Sequence, residues 1–243
     1  MRKLYNDSNG AEGAFVVATS ASWGIDNADP ANYPLWCAIY DSLGTYGVLN
    51  PGATTNNNAN VDVVGDMPTA CASQYMVSVT RTSATDSQAG GYGLTTIDFG
   101  APGINVYTTS GTNSYGTTTG TSFSCPLTAG VIGLMYSVPC NSFIALAKAD
   151  PQAAANQVLQ ALMDGCDPTA AMNGISVTGG RVNAANSVNL LVSNCSAGGC
   201  ITPYALNTFG VIDTAANFSW SNGGGNDFIF YILFNDGKKW TTY

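Results

Sequence analysis

One stretch of the chain combines residue types that can do chemistry at a spacing that can position them: Gly120-Thr121-Ser122-Phe123-Ser124-Cys125-Pro126, followed by Leu127-Thr128-Ala129-Gly130. A flexible Gly-Thr lead and an apolar run over residues 131–136 bracket a hydroxyl, which predicts Ser122 at or just before a helix N-terminus. The first N–H groups of a helix have no intrahelical partner and face any negative charge that develops beside them. A serine held there is placed to act as a nucleophile. Taken alone, Thr121 or Ser122 would more commonly be a helix N-cap, because such side chains accept hydrogen bonds from those same N–H groups. The whole pattern, and not Gly-Thr-Ser by itself, carries the nucleophile reading.

Elements that could position Ser122 lie on both sides of it. Residues 14–19 form a continuous apolar run between small residues, as in a strand buried on both faces of a parallel sheet, and Ser22-Trp23-Gly24 follows. Residues 34–43 have helical apolar spacing. A second strand is expected from residue 46 to 55, running into Asn56-Asn57-Asn58, although Pro51 cannot donate to a sheet ladder. Residues 60–72 read as a polar connection, 75–80 as a third strand, and 82–93 as a loop. Residues 95–99 and 104–107 flank a predicted turn, Gly100-Ala101-Pro102-Gly103. Helices are expected over 143–148, 152–163 and 184–191. Strands alternating with helices predict an α/β domain with a parallel sheet. Such sheets bind ligands at the carboxyl ends of their strands, which places Ser22, Trp23, Gly24, Asn56 and Ser122 on one edge.

Composition narrows the function classes. The chain has 243 residues, 45% of them hydrophobic, enough for a packed core, and only 9% charged, well below the roughly 25% of an average soluble protein. A formal net charge of −8, with seven scattered basic residues, argues against nucleic acid or an anionic membrane as partner. No apolar run reaches the ~18 residues of a membrane span. Met1-Arg2-Lys3 has the charged start of a signal peptide, but no apolar core follows.

Seven cysteines without metal-type spacing point to an oxidising, extracellular setting. Sequence cannot fix their connectivity; local position suggests Cys37 with Cys71, Cys140 with Cys166 and Cys195 with Cys200, leaving Cys125 as a free thiol. The Asn and Asp residues between Asn56 and Asp66 are as readily plain loop polarity as ligands of a hard cation, whose oxygen ligands composition does not announce, and no cofactor is expected. Gly91-Tyr92-Gly93 lacks the third glycine and the helix of a phosphate-binding turn.

Gly120-Thr121-Ser122 with Ser124, Pro126 and Ala129-Gly130 resembles the nucleophile motif of the subtilisin-like serine peptidases, with Phe123 for the usual Met and Cys125 for the usual Thr. Gly100-Ala101-Pro102-Gly103, Ser22-Trp23-Gly24 and the Gly-Arg-Val-Asn of residues 180–183 are similar to further motifs of that family, so the likeness covers residues 14–192. It implies a doubly wound, mostly parallel α/β sheet and a secreted endopeptidase acting on polypeptides through an acyl-enzyme on Ser122. It further implies that Asn56 is the oxyanion-hole amide, with Asn57 as its nearest rival, and that Ser22, Trp23 and Gly24 bind substrate backbone. Structural calcium, common in the family, has no motif here.

The family's base is histidine, oriented by aspartate, and the chain contains no histidine. Asp26, Asp29 and Asp41 lack the Asp-(Thr/Ser)-Gly context, and no lysine lies near Ser122 in sequence. The expectation is therefore an N-terminally incomplete peptidase domain (1–193), inactive alone and monomeric when complete. A linker (194–200) and a partial all-β sandwich of fibronectin type III-like character (201–243), with Trp220 in its core, would follow. The competing reading is a catalytically inactive binding or adhesion protein of the same fold.

Overall fold

The computed structural model describes residues 1–193, Cys195, and the backbone of residues 204–212 and 215–221. The chain divides into two units, Met1–Cys195 and Ser196–Tyr243.

In the first unit, α1 (Arg2–Asp7) leads into an extended segment over residues 14–21 and the short strand β1 (Ile25–Asp26). Helix α2 (Pro34–Thr45) begins on a proline, whose fixed φ suits a first helical position. Strand β2 (Asn50–Ala53) follows. Residues 60–72, predicted as plain connection, in fact hold a single helical turn, α3 (Val61–Val64), started by the Asn60 side chain accepting from Asp62 N–H. They also hold β3 (Asp66–Met67). Next come β4 (Met76–Thr82), β5 (Gln88–Ala89), β6 (Phe99–Pro102) and the hairpin of β7 (Val106–Thr109) and β8 (Tyr115–Thr118). Helices α4 (Thr121–Tyr136), α5 (Asn141–Ala149) and α6 (Pro151–Asp164), strands β9 (Asp167–Pro168) and β10 (Gly180–Arg181), and helix α7 (Ala184–Ser193) complete the unit.

The central sheet has the order β2-β4-β6-β10-β9, with β2, β4, β6 and β10 parallel and β9 antiparallel at the edge. Its core is built on apolar side chains: Leu49, Val77, Val79, Ile97 and Phe99 are fully buried, and Ile132 and Met135 of α4 are buried as completely, with Asn50, Thr80 and Ser124 among the polar residues enclosed with them. The fold is thus the mixed α/β arrangement with a mostly parallel sheet that the strand and helix alternation predicts.

Two expectations are corrected in detail. Residues 14–19 do run parallel to β2, with Thr19 N–H donating to Leu49 O and Leu49 N–H to Val17 O. Only the isolated bridges Ala18–Leu49 and Ala21–Gly52 register as sheet. The reason is Pro51: Leu49 and Ala53 donate to that segment, and the proline between them has no N–H to do so. The predicted turn Gly100-Ala101-Pro102-Gly103 is instead the end of β6, pairing with β4 as far as Pro102 opposite Thr82.

Cys37 is bonded to Cys71, and Cys125 is free and buried. The other local pairings fail. Cys140, before α5, is bonded to Cys195, beyond α7. Helix α6 instead carries Cys166 to the start of β9, where its Sγ donates to Leu162 O and stays unpaired. Cys200 lies outside the described residues.

In the second unit, β11 (Tyr204–Ile212) and β12 (Ala215–Ser221) pair antiparallel. The strand expected over residues 228–234 lies outside the described residues.

Candidate active site

Ser122 is the second residue of α4. Pro126 stands four residues on and has no N–H, so the Ser122 carbonyl loses the helical donor it would otherwise have. Ser22 replaces that donor: its hydroxyl donates to Ser122 O at 2.8 Å, and Ser122 Oγ donates back to Ser22 O over a longer 3.4 Å. The proline of the motif therefore ties the helix start to the chain segment that carries Ser22, Trp23 and Gly24. Gly24 lies so close to the neighbouring strand that a Cβ there would fall 1.8 Å from Met67 O. Trp23 stacks on Trp36 of α2 with ring centroids 5.1 Å apart, which sets the other side of the same segment.

Asn56 follows the carboxyl end of β2. Its Oδ1 accepts from Thr121 N–H at 3.0 Å, from Thr121 Oγ1 at 3.3 Å and from Arg81 Nη1, while Arg81 Nη2 donates to Asn56 O at 3.3 Å. Those donors can only be met by the amide oxygen, so Nδ2 is left as a free donor. Ser122 N–H, one of the unpartnered first N–H groups of the helix, is the other. The rival Asn57 has its amide committed to Asp26 Oδ2 at 3.1 Å. Thr121 is further fixed by its hydroxyl donating to Thr54 O at 2.6 Å.

All five residues singled out in the sequence, Ser22, Trp23, Gly24, Asn56 and Ser122, line one cleft of about 230 Å³. No histidine or lysine is among its lining residues. Burial pushes the Cys125 thiol up from its ordinary range, so this neighbour of Ser122 stays protonated and supplies no base.

Three lining or supporting residues escape the sequence reading. Arg81, the last residue but one of β4, lies beside Asn56; it is the only Lys or Arg between Lys3 and Lys148, a signal that could have drawn attention to it. Asp66 and Asp26, from β3 and β1, also face the cleft. Burial raises the Asp66 carboxyl above its usual range, and the charge of Asp26 adds to this, against hydrogen bonds from Thr69, Thr54 and Thr55. Among the described residues no group of three or more His, Cys, Asp or Glu could hold a metal ion. No single described helix is long and apolar enough to cross a membrane.

A helix-borne serine beside a pinned asparagine amide thus stands at the carboxyl edge of a mostly parallel sheet, a hydroxyl next to donors fixed in advance. The model of the subtilase family matches residues 3–179, and the chain belongs to that family. No curated protein matches it in sequence.

Among solved structures, the A-subunit of the AB5 toxin from E. coli is similar with a TM-score of 0.57 and 18% identity, over 76% of this chain and 64% of that one. A mutant of the protease domain of PatA is similar with a TM-score of 0.56 and 20% identity, over 80% and 65%. The prenylagaramide maturation protease PagA gives a TM-score of 0.53 and 19% identity, over 78% and 65%. At these identities the likeness is one of fold, and the chain spans under two thirds of the length of each.

Proposed function

We propose that the chain is the nucleophile-bearing part of a secreted serine endopeptidase, in which Ser122 Oγ attacks a peptide carbonyl and forms an acyl-enzyme that water then hydrolyses. The oxyanion that develops would lie between Ser122 N–H and Asn56 Nδ2, donors fixed before the reaction and therefore stabilising the transition state more than the substrate. Substrate backbone would run along Ser22, Trp23 and Gly24. The observation that carries this reading is the pinning of Asn56 by Thr121, the residue next to the nucleophile, which turns its amide into a spare donor on the cleft that holds Ser122.

Ser122 Oγ reaches only the Ser22 carbonyl, which accepts a hydrogen bond but is far too weak a base to take the proton. The catalytic histidine and aspartate are accordingly assigned to sequence outside this chain, and the chain alone is inactive. The disulfides and the low charge fit export, and the unit after Cys195 fits the opening strands of a fibronectin type III-like domain.

The test is casein hydrolysis by residues 1–243 alone and by the same residues joined to their upstream coding sequence. Hydrolysis is expected only from the joined protein, and Ser122→Ala should bring it to background. A joined protein that cleaves casein equally well with alanine at 122 would overturn the reading.

A further inference from the structure

The cleft beside Ser122 is walled by two carboxylates and by no basic residue. Strands β1 and β3 pair antiparallel with Asp26 directly opposite Asp66, an arrangement in which like charges repel. Asp66 is only 1% exposed. Its Oδ2 accepts from Thr54 Oγ1 at 2.8 Å, from Thr55 N–H at 3.1 Å and from Thr69 Oγ1 at 2.5 Å, and none of these bonds uses Oδ1. Asp26, exposed at the rim, accepts from Asn57 Nδ2. Neither carboxylate has a Lys or Arg partner among the described residues. A buried carboxylate without a cation is costly, and a cation arriving with the ligand would remove that cost.

The attacked carbonyl would be held by Ser122 and Asn56, which also line this cleft, so the side chain of the residue that owns that carbonyl is the one placed to enter it. From these positions we propose that the cleft selects lysine or arginine on the amino side of the scissile bond, with Asp66 at its floor and Asp26 at its rim as the specificity-determining residues. A long, unbranched cationic side chain reaches the free oxygen of Asp66, and a guanidinium can also rest on the exposed ring of Trp23. The inference rests on reading Ser122 as the nucleophile and adds the class of substrate to it.

The experiment uses the chain itself. Acetyl-Ala-Ala-Pro-Xaa peptides ending in arginine, lysine, norleucine or glutamate are titrated against it, reading tryptophan fluorescence and, in parallel, calorimetric heat. The arginine and lysine peptides are expected to bind at least about tenfold more tightly than the norleucine peptide in dilute buffer, with the advantage shrinking in salt. Asp66→Asn and Asp26→Asn should each shrink that ratio while leaving norleucine affinity unchanged. Asp26→Asn alters only the exposed rim, so it keeps the test sharp if the buried substitution disturbs folding.

Equal or tighter binding of the norleucine peptide would overturn the selectivity and leave the peptidase reading standing. Binding of none of the four would overturn both.

Discussion

Asn56 is held by its oxygen, and this decides what its nitrogen is free to do. Thr121 N–H and the Arg81 guanidinium both need an acceptor, so the amide is locked with Nδ2 pointing away from them. In the peptidase assembled with its base, Asn56→Ala is expected to lower kcat by about 100–1,000-fold with KM little changed, the scale already known for the oxyanion asparagine of subtilisin. Arg81→Met leaves the donor present but loosens it; steady-state kinetics should show a smaller fall in kcat, up to about 100-fold, again without a matching rise in KM. A rise in KM alone would assign Arg81 to substrate binding instead.

At this scale the sequence was partly readable. Ser122 and Asn56 stand in motif positions, and Ser22 to Gly24 at the end of an apolar run. Arg81, Asp66 and Asp26 carry no local signature, because each acquires its meaning from a residue 25 or more positions away, or across a two-residue strand pair.

At the level of elements, α4 is more than a carrier for Ser122. Pro126 frees one carbonyl of its first turn and the Ser22 hydroxyl takes it up, so the helix start and the segment that carries Ser22 are bonded in both directions. Ser22→Ala leaves that carbonyl without its donor and should lower stability by about 1 kcal/mol, measurable as a shift in the urea midpoint at unchanged slope. An unchanged midpoint would mean that water replaces the hydroxyl at no cost.

Helices were the most legible elements, since apolar period and proline starts act locally; α2, α6 and α7 lie close to where their patterns place them. Strand boundaries were less so. Pro51 weakened the reading of β2, yet its missing N–H falls on the side facing residues 14–21 and costs that pairing rather than the one with β4. Gly100-Ala101-Pro102 looked like a turn because glycine and proline usually punctuate. Here they end a strand where Gly103 packs so tightly that a Cβ would lie 2.2 Å from Ser124 Oγ.

For the whole molecule, stability should depend on pH through a group remote from Ser122. Burial pushes the Asp98 carboxyl up to about 7, against a hydrogen bond donated by Ser78 N–H. An unfolded aspartate ionises near pH ~4, so between that pH and 7 the native chain keeps a proton that the unfolded chain has released. The resulting stability is fully present below about pH 4 and is lost as pH rises through 7. Urea unfolding at pH 5 and pH 8 should show a fall that Asp98→Asn flattens; parallel falls in both proteins would place the titration elsewhere.

The Cys140–Cys195 bond has a mechanical consequence for the first unit. Tension drawn through the chain from beyond residue 195 enters this unit at a covalent crosslink and passes straight to Cys140, bypassing the intervening 54 residues. Helices α5, α6 and α7 are shielded from peeling, and the load is delivered to the end of α4, whose other end carries Ser122. Under oxidising conditions the unit should therefore resist unravelling from its C-terminal side, whereas a thiol reductant would let a pull strip it helix by helix, beginning with α7.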